Sequence, residues 1–145
     1  MKSLIYLSAA TKLFSNIDLL DILTVSRLKN LSLGITGLLI YHEGSIIQIL
    51  EGDDLQLNFV FNSIKNDARH KNIIKYGNFN ITERSFPDWS MGFKQISDDN
   101  WKKLEGYLDL NEKEKFDWIK NSANNQIIKL IKAFANTNSI NSLSF

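Results

Sequence analysis

The sequence contains no cysteine, and this absence excludes several kinds of chemistry. Disulfide bonds, thiol nucleophiles and thiolate metal sites all require a thiol that the chain lacks. Its two histidines, His42 and His70, are too few for a zinc site unless carboxylates complete the ligand set. No GxSxG, Walker loop or HExxH pattern is present. We therefore expect a protein that is not an enzyme and that holds no metal.

An excess of one charge and long apolar runs are missing as well. The 17 Lys and Arg residues and 16 Asp and Glu residues leave a net charge of +1, which excludes a strong basic field for nucleic acid or membrane. The longest apolar runs, 35–41 and 46–50, are far shorter than the roughly 20 residues that span a bilayer. The N-terminus has no signal-peptide pattern. A cytoplasmic domain without nucleic-acid or membrane partners is expected.

The apolar residues that are present predict one α+β domain. The chain has 145 residues, of which 43% are hydrophobic, enough for a single core. Their spacing predicts five strands, near 2–8, 37–41, 45–51, 74–83 and 89–95. Two helices are predicted between them, at 18–30 and from Asp53 or Asp54 to about 67, with Leu55, Phe59 and Ile64 facing inward.

The resulting order is β-α-β-β-α-β-β over residues 1–96. His42, Glu43 and Gly44 predict a hairpin turn between the second and third strands, with Gly44 at positive φ. Two helices separated by a hairpin favour a ferredoxin-like sheet with both helices on one face.

Residues 97–145 predict a helical extension of the same structural unit, which would cover the other face of the sheet. An apolar stripe in this extension is too rich for a wholly exposed helix, and it consists of Ile127, Ile128, Ile131 and Phe134. The stripe packs on the sheet or joins subunits, and the second alternative predicts a homo-oligomer.

One polar side chain lies inside an apolar strand. Gln48 occupies the centre of IIQIL, on the same strand face as Ile46 and Leu50. A buried glutamine must satisfy two donors and two acceptor sites or lose about 1–3 kcal/mol. Tyr6 on the first strand is a candidate partner, although bonding to backbone or water is an equal alternative. Glu51, at the end of the strand, is interpreted as part of the strand end and helix cap.

Three other residues each have two interpretations. Asn30 either caps the first helix or contacts a ligand. Arg69 and His70 form a solvated cluster at the end of the second helix, or they contact a phosphate or sugar. Trp89 and Met91 share one face of the fifth strand, where core packing is the simpler explanation.

Several motifs occur together in a fixed order: LIYLS, SRLKN, GITGLLIY, IIQILEG, NDARH and ERSFPDWSMGF. With these motifs the sequence resembles the BLUF family, the blue-light sensors that use flavin, over about residues 2–95. The resemblance implies a short stand-alone photoreceptor in which residues 1–96 form the photosensor domain. It also implies FAD as cofactor, with FMN or riboflavin as alternatives.

The resemblance implies a role for each candidate residue. Tyr6 would give an electron and a proton to the flavin, and Gln48 would bridge Tyr6 and the flavin and rearrange in light. Asn30 would hydrogen-bond the pyrimidine edge of the flavin. The other implied residues are Ser26 beside the ring, Arg69 and His70 near the ribityl chain and phosphate, and the signal-passing pair Trp89 and Met91.

Two positions depart from the usual family pattern. Ile46 stands where an aromatic residue is common, and Lys29 stands where many members have a second asparagine. Neither position touches the predicted contact between Tyr6 and Gln48.

The output is expected to be contact with an unidentified effector protein. A ferredoxin-like ligand-binding or regulatory module without photochemistry is the alternative. An acyl-phosphate hydrolase using Arg27 and Asn30 is a weaker third possibility, because no phosphate loop is recognisable.

Overall fold

The computed structural model describes residues 1–88, 90–95 and 129–130. The chain divides into two compact units, Met1–Tyr107 and Leu108–Phe145. The first unit contains β1 (Lys2–Ala10), α1 (Asn16–Ser32), β2 (Thr36–His42), β3 (Ser45–Gly52), α2 (Asp54–Lys65), β4 (His70–Asn80) and β5 (Gly92–Gln95). This order confirms the β-α-β-β-α-β-β prediction.

Two parts of the prediction lie outside the described residues. One is Trp89, and the other is the helical extension over 97–145 with its apolar stripe, of which only the helical residues Lys129 and Leu130 are described. The predicted domain boundary at residue 96 stays a prediction for the same reason.

The five strands form one sheet in the order β4-β1-β3-β2-β5. The first four strands pair antiparallel with their neighbours, and β5 joins the edge parallel to β2. Strands β1 and β3 lie side by side between β4 and β2, and this order confirms the ferredoxin-like α+β fold. At the centre of the sheet, Tyr6 of β1 lies directly opposite Gln48 of β3.

A two-residue turn fixes the register between β2 and β3. Its central residues, Glu43 and Gly44, have φ of 44° and 88°. Positive φ at both positions gives the turn the twist that two antiparallel strands need. Because the register is set from the pair His42 and Ser45, Leu39 comes to lie opposite Gln48.

Both helices begin at side-chain caps that the sequence indicated. Ser15 and Asp18 form a capping box at the start of α1, with each side chain accepting from the backbone N–H of the other. The α2 cap is Asp53, whose side chain accepts from the Leu55 N–H. Of the two capping candidates for α2, Asp53 rather than Asp54 is the cap.

The helices pack on the sheet face that carries Tyr6 and Gln48. The buried core there combines strand residues with residues of both helices, including Leu4, Leu39, Leu50, Leu19, Ile22, Leu23, Leu57, Val60 and Phe61. The opposite face of β3 is buried too, since Ile47 and Ile49 are each 1% exposed. Among the described residues, no helix combines the length and apolarity needed to cross a membrane.

The structure corrects the inward face predicted for α2. Of the three residues predicted to face inward, Ile64 packs against the core, but Leu55 and Phe59 are exposed. The buried residues of α2 are Leu57, Val60 and Phe61. These three residues are related by spacings of three and four, so they form the helical stripe that meets the sheet.

Two strand boundaries also differ from the prediction. β4 begins at His70 rather than near residue 74, so His70 belongs to a strand and not to the end of a helix. β5 begins at Gly92, so Met91 lies in the bend before the strand and not on its face.

Candidate functional site

A cleft opens between α1 and α2 above the centre of the sheet, with about 560 Å³ of empty space including its open mouth. Leu39 of β2 and Gln48 of β3 form its floor. Apolar side chains from the two helices line its walls, namely Ile22, Val25, Val60 and Ile64. The polar lining residues are Ser26, Lys29, Asn30, Ser63, Asp67, Arg69 and His70.

Gln48 is held at both ends of its side-chain amide. The Tyr6 hydroxyl donates a hydrogen bond to Gln48 Oε1. Gln48 Nε2 donates to the thioether Sδ of Met91, 3.3 Å away. Gln48 and Tyr6 are 4% and 0% exposed, so this chain of contacts is closed to bulk water on the Tyr6 side. The partners of the buried glutamine amide are therefore side chains, and the predicted Tyr6 contact is confirmed.

Burial raises the pKa of Tyr6, and the carboxylate of Asp67 adds to the effect. The phenol is consequently neutral over the whole physiological pH range. Its ring packs against Phe61, with centroids 5.5 Å apart, and against the edge of His70 at 6.4 Å. These contacts fix the ring, so the hydroxyl keeps its direction toward Gln48.

Two side chains of α1 hold the segment that carries Met91. Asn30 Nδ2 donates to the Ser90 carbonyl at 2.7 Å, and Arg27 Nε donates to the Met91 carbonyl at 2.9 Å. Asn30 does not cap α1, because the helix continues to Ser32 and its C-cap is Leu33. Since Asn30 also lines the cleft, one side chain touches both the cleft and the Met91 segment.

The outer end of the cleft is charged. Two nitrogens of Arg69 donate hydrogen bonds to Asp67, Nε to Oδ1 at 3.0 Å and Nη2 to Oδ2 at 2.6 Å. These bonds lower the pKa of Asp67. His70 Nδ1 lies 3.0 Å from Ser8 Oγ. Burial lowers the pKa of His70, although Asp67 opposes the shift. The predicted basic pair is thus one ion-paired arginine and one half-buried histidine.

Lys29 spans the mouth of the cleft, a role that its position in the sequence did not reveal. Its Nζ donates to Ser63 Oγ of α2 at 2.7 Å and lies 5.0 Å from the centre of the Phe59 ring. The departure from the family pattern at this position was the available signal. Its partner Ser63 had no signal in the sequence.

Glu51 is the second residue whose role the sequence did not show. It is fully buried, and it is not part of the helix cap, which is Asp53. Its Oε1 accepts from the Ser85 N–H at 3.0 Å, and its Oε2 accepts from the Phe86 N–H at 2.9 Å. Burial raises the pKa of Glu51, while these bonds oppose the shift. The signal was its strand parity, which groups it with Ile47 and Ile49.

The chemistry of the cleft fits a flavin. Apolar walls suit a flat heteroaromatic ring, and the amides of Asn30 and Gln48 offer both donors and acceptors to its polar edge. Five of the six residues implied as cofactor contacts line the cleft: Ser26, Asn30, Gln48, Arg69 and His70. The sixth, Tyr6, joins them through Gln48. Among the described residues, no group of three or more His, Asp or Glu could hold a metal.

Comparison with known proteins gives the same assignment. Residues 1–92 match the family described as BLUF, sensors of blue-light using FAD. The photoactivated adenylate cyclase subunit alpha of Euglena gracilis is 36% identical over 93 residues, which are 63% of this chain and 9% of that protein. This chain therefore spans about a tenth of the length of the curated relatives it matches.

Two solved structures of similar size have the same fold. The dark-state structure of BlrB, a BLUF protein, aligns with 94% of this chain and 96% of its own, with a TM-score of 0.65 and 29% identity. The ground state of BlsA aligns with 65% of this chain and 64% of its own, with a TM-score of 0.59 and 38% identity. With its sheet, its cleft and the family match over residues 1–92, the chain belongs to the BLUF family of blue-light sensors.

Proposed function

We propose that Tyr6, Gln48 and Met91 form the light switch of this blue-light sensor, and that the flavin lies in the cleft between α1 and α2. The observation that carries the proposal is the buried sequence of contacts from the Tyr6 hydroxyl through the Gln48 amide to the Met91 thioether. Gln48 also forms part of the cleft floor, so the same amide faces the cofactor site.

A bound flavin supplies absorption of blue light and an excited state that oxidises a nearby donor. Tyr6 is that donor. Because burial keeps its phenol protonated, Tyr6 would give its hydroxyl proton together with an electron to the bound flavin and would take both back when the pair recombines, rather than starting from a phenolate. The hydroxyl already points at Gln48 Oε1, so the amide lies on the path of that proton.

Gln48 can keep a changed hydrogen-bonding arrangement after the electron and proton transfer, because the two ends of an amide have opposite hydrogen-bonding character. In the described arrangement its NH₂ end faces Met91, whose sulfur accepts but cannot donate. Rotation or tautomerisation of the amide would place an acceptor or a changed donor against that sulfur. The Met91 contact would then weaken, which transmits the change to the segment before β5.

FAD is the cofactor that we propose, with FMN and riboflavin as alternatives. The description of the family as using FAD supports this choice. Ser26, Asn30 and Gln48 would hold the ring, and Arg69 and His70 would face the chain attached to it. Because Arg69 is paired with Asp67, the attraction for a phosphate at this end is reduced rather than abolished.

The output that we propose is light-dependent binding of an effector protein, with a homo-oligomer as the assembled state. The relatives in Euglena are named as subunits of photoactivated adenylate cyclases, which supports a sensor region that controls the activity of another protein or domain. Light scattering at working concentration tests the oligomer, and a monomer in both light states would remove it. Pull-down from the native host, in light and in darkness, would identify the effector.

The decisive experiment for the cofactor is the absorption spectrum of the purified full chain. We expect a yellow protein with a structured flavin band, which shifts to longer wavelength under blue light and returns in darkness. A colourless chain that cannot be reconstituted with flavin would instead support a ligand-binding module without photochemistry. Extraction of the pigment and chromatography distinguish FAD, FMN and riboflavin.

A further inference from the structure

The connection between β4 and β5, residues 81–91, is attached to the rest of the unit at two separate points. Near its end, Asn30 and Arg27 of α1 hold the carbonyls of Ser90 and Met91. Closer to its start, Ser85 and Phe86 form hydrogen bonds with a side chain of the sheet. The second attachment lies outside the cleft, and the proposed switch does not use it.

Glu51 makes this second attachment. Each of its carboxylate oxygens accepts one backbone N–H, from Ser85 and from Phe86. The Glu51 side chain is fully buried, and Ser85 and Phe86 are 4% and 1% exposed. Hydrogen bonds to a carboxylate are among the strongest in proteins, and their loss in a buried site leaves unpaired groups. The contact therefore holds the connection at one fixed point on β3.

Arg84, the residue before Ser85, binds the same part of the sheet. Its Nη1 donates to the Glu51 carbonyl and to Thr36 Oγ1, each at 2.8 Å, and its Nη2 donates to the Gly34 carbonyl at 2.7 Å. The guanidinium thus links the connection to β2, to β3 and to the turn after α1. Glu51 and Arg84 hold neighbouring residues of the connection from different directions, so its start has little freedom.

Glu51 and Gln48 lie on the same strand, three residues apart. Because side chains alternate along a strand, Gln48 faces the cleft and Glu51 faces the other side of the sheet. The connection joins the two faces, since its Ser85 and Phe86 amides bind Glu51 and its Met91 sulfur lies 3.3 Å from Gln48 Nε2. One short stretch of β3 therefore holds both ends of the segment that responds to the switch.

We infer that Glu51 is a positioning residue of the light response, whose carboxylate anchors the β4–β5 connection so that Met91 stays in reach of Gln48. The inference rests on the proposed function. Without the Glu51 carboxylate, Arg84 and the α1 contacts still hold the connection, but the Ser85 and Phe86 amides lose their acceptors and the segment before Met91 gains freedom. The Gln48–Met91 contact is then made for a smaller part of the time, and the rate at which the switch returns in darkness changes.

The test uses the flavin-bound full chain with Glu51→Gln, which retains the shape of the side chain but replaces one acceptor oxygen by NH₂. We expect the dark-recovery rate to change about ten-fold, the effect of one charge-assisted hydrogen bond on a barrier. Glu83→Gln makes the same chemical change at an exposed position of the connection and should recover like the wild type. Glu51→Asp, which retains a carboxylate, should restore part of the normal rate.

A double-mutant cycle with Met91→Ala shows whether Glu51 acts through Met91. We expect Glu51→Gln to change the recovery rate in the same direction as Met91→Ala. The double variant should then recover at the rate of Met91→Ala alone. Fully additive effects, or an unchanged rate in Glu51→Gln, would overturn the inference even though the protein is yellow and photoactive.

Wild-type protein gives a test that does not depend on folding of the variants. Amide hydrogen exchange at Ser85 and Phe86 should be slow in darkness and should stay slow under blue light, because the anchor holds in both states. Rapid exchange of these two amides in either state would contradict the anchor. A chain without bound flavin or without any light-induced shift would contradict the proposed function instead, so the two failures are distinguishable.

Discussion

The two ends of the cleft are built from different interactions. At the inner end, Tyr6 and Gln48 are buried, neutral and joined by hydrogen bonds of fixed direction. At the outer end, Asp67 and Arg69 carry opposite charges at the protein surface, with their side chains 25% and 41% exposed. If a group at the inner end moves, its hydrogen-bond partner is left unpaired. At the outer end, water can replace a lost partner.

The inner end is therefore suited to fixing the orientation of side chains, and the outer end to attracting a charged group. A buried neutral network is satisfied in only a few arrangements, so it is suited to a switch with discrete states. A solvated ion pair contributes little in any single geometry, since salt and water screen it. Substitutions at the inner end should therefore change the light response, and those at the outer end should change only affinity or stability by modest amounts.

The largest effect is expected from Tyr6→Phe, which removes the hydroxyl and retains the ring. Flavin should stay bound, but the light-induced red shift should be lost because the donor of the electron and proton is gone. The change also leaves Gln48 Oε1 without its donor, at a cost of about 1–3 kcal/mol in a buried site. Absorption spectra before and after blue light provide the measurement.

Tyr76→Phe is the matched control, because Tyr76 is 47% exposed on β4. It should retain the complete photocycle. A normal red shift and recovery in Tyr6→Phe would show that another residue supplies the electron, and the role proposed for Tyr6 would be wrong. Loss of fluorescence alone does not decide the matter, since any other oxidisable side chain near the ring would also quench an excited flavin.

Gln48→Glu should have the next largest effect. A neutral Glu donates through its acid proton and an ionised one only accepts, so neither reproduces the two hydrogen-bonding states of the amide. Flavin should stay bound, its dark absorption should shift, and the normal light-induced shift should be lost or strongly changed. Infrared difference spectra report whether the flavin carbonyl bond still responds.

Gln56→Glu on α2 makes the same change away from the cleft floor and should leave the spectra as in the wild type. If Gln48→Glu gave the wild-type carbonyl shift and the wild-type recovery, Gln48 would only fill space. The comparison between the two ends of the cleft would then lose its basis.

The inner end was also the part of the site that the sequence predicted best. Strand alternation placed Tyr6 and Gln48 on one face, and the register puts them directly opposite each other. The period of two along a strand is a local rule and suffices to predict the shared face, whereas the register between β1 and β3 depends on long-range pairing in the sheet. The glutamine was conspicuous because its neighbours in the strand are isoleucines.

Contacts that depend on the path of a loop were not predictable. The attachments of residues 81–91 to Glu51 and to α1 join residues 34 to 64 positions apart, and no periodicity marks them. Met91 was assigned to a strand for the same reason. On α2, Leu55 and Phe59 were wrongly placed inside because the sequence shows two apolar stripes, and only packing on the sheet selects one.

A smaller effect is expected from Asp67→Asn at the outer end. The substitution frees Arg69 from its bidentate partner, so a flavin with a phosphate should bind roughly three-fold tighter, within the range typical of exposed ion pairs. Riboflavin, which has no phosphate, should bind as before. Titrations with FMN, FAD and riboflavin at low and high salt provide the measurement, and the gain should shrink at high salt.

Asp88→Asn, at an exposed position of the β4–β5 connection, removes a carboxylate without freeing Arg69 and serves as the control. Equal gains for FMN and riboflavin in Asp67→Asn would show that Arg69 does not face the phosphate. The light-induced shift itself should be unchanged in both variants, which separates the outer end from the switch.

The smallest effect concerns His70 and the pH dependence of stability. Burial lowers the pKa of His70 below the usual 6.5, so the unfolded chain binds this proton more readily than the folded chain. The folded state therefore loses stability as the pH falls below about 6.5, and the loss levels off below the folded pKa. His70→Gln removes the titrating group, so the melting temperature of the flavin-bound chain should fall less between neutral and mildly acidic pH.

The sign of this slope separates burial from ion pairing at the outer end. If the attraction of Asp67 outweighed burial, the folded state would bind the His70 proton more tightly, and acid would stabilise the wild type relative to His70→Gln. Lys71→Gln, at the exposed neighbouring position of β4, is the matched control and should retain the wild-type slope. A steeper loss of melting temperature in His70→Gln than in the wild type would contradict the lowered pKa of His70 and the dominance of burial over the attraction of Asp67.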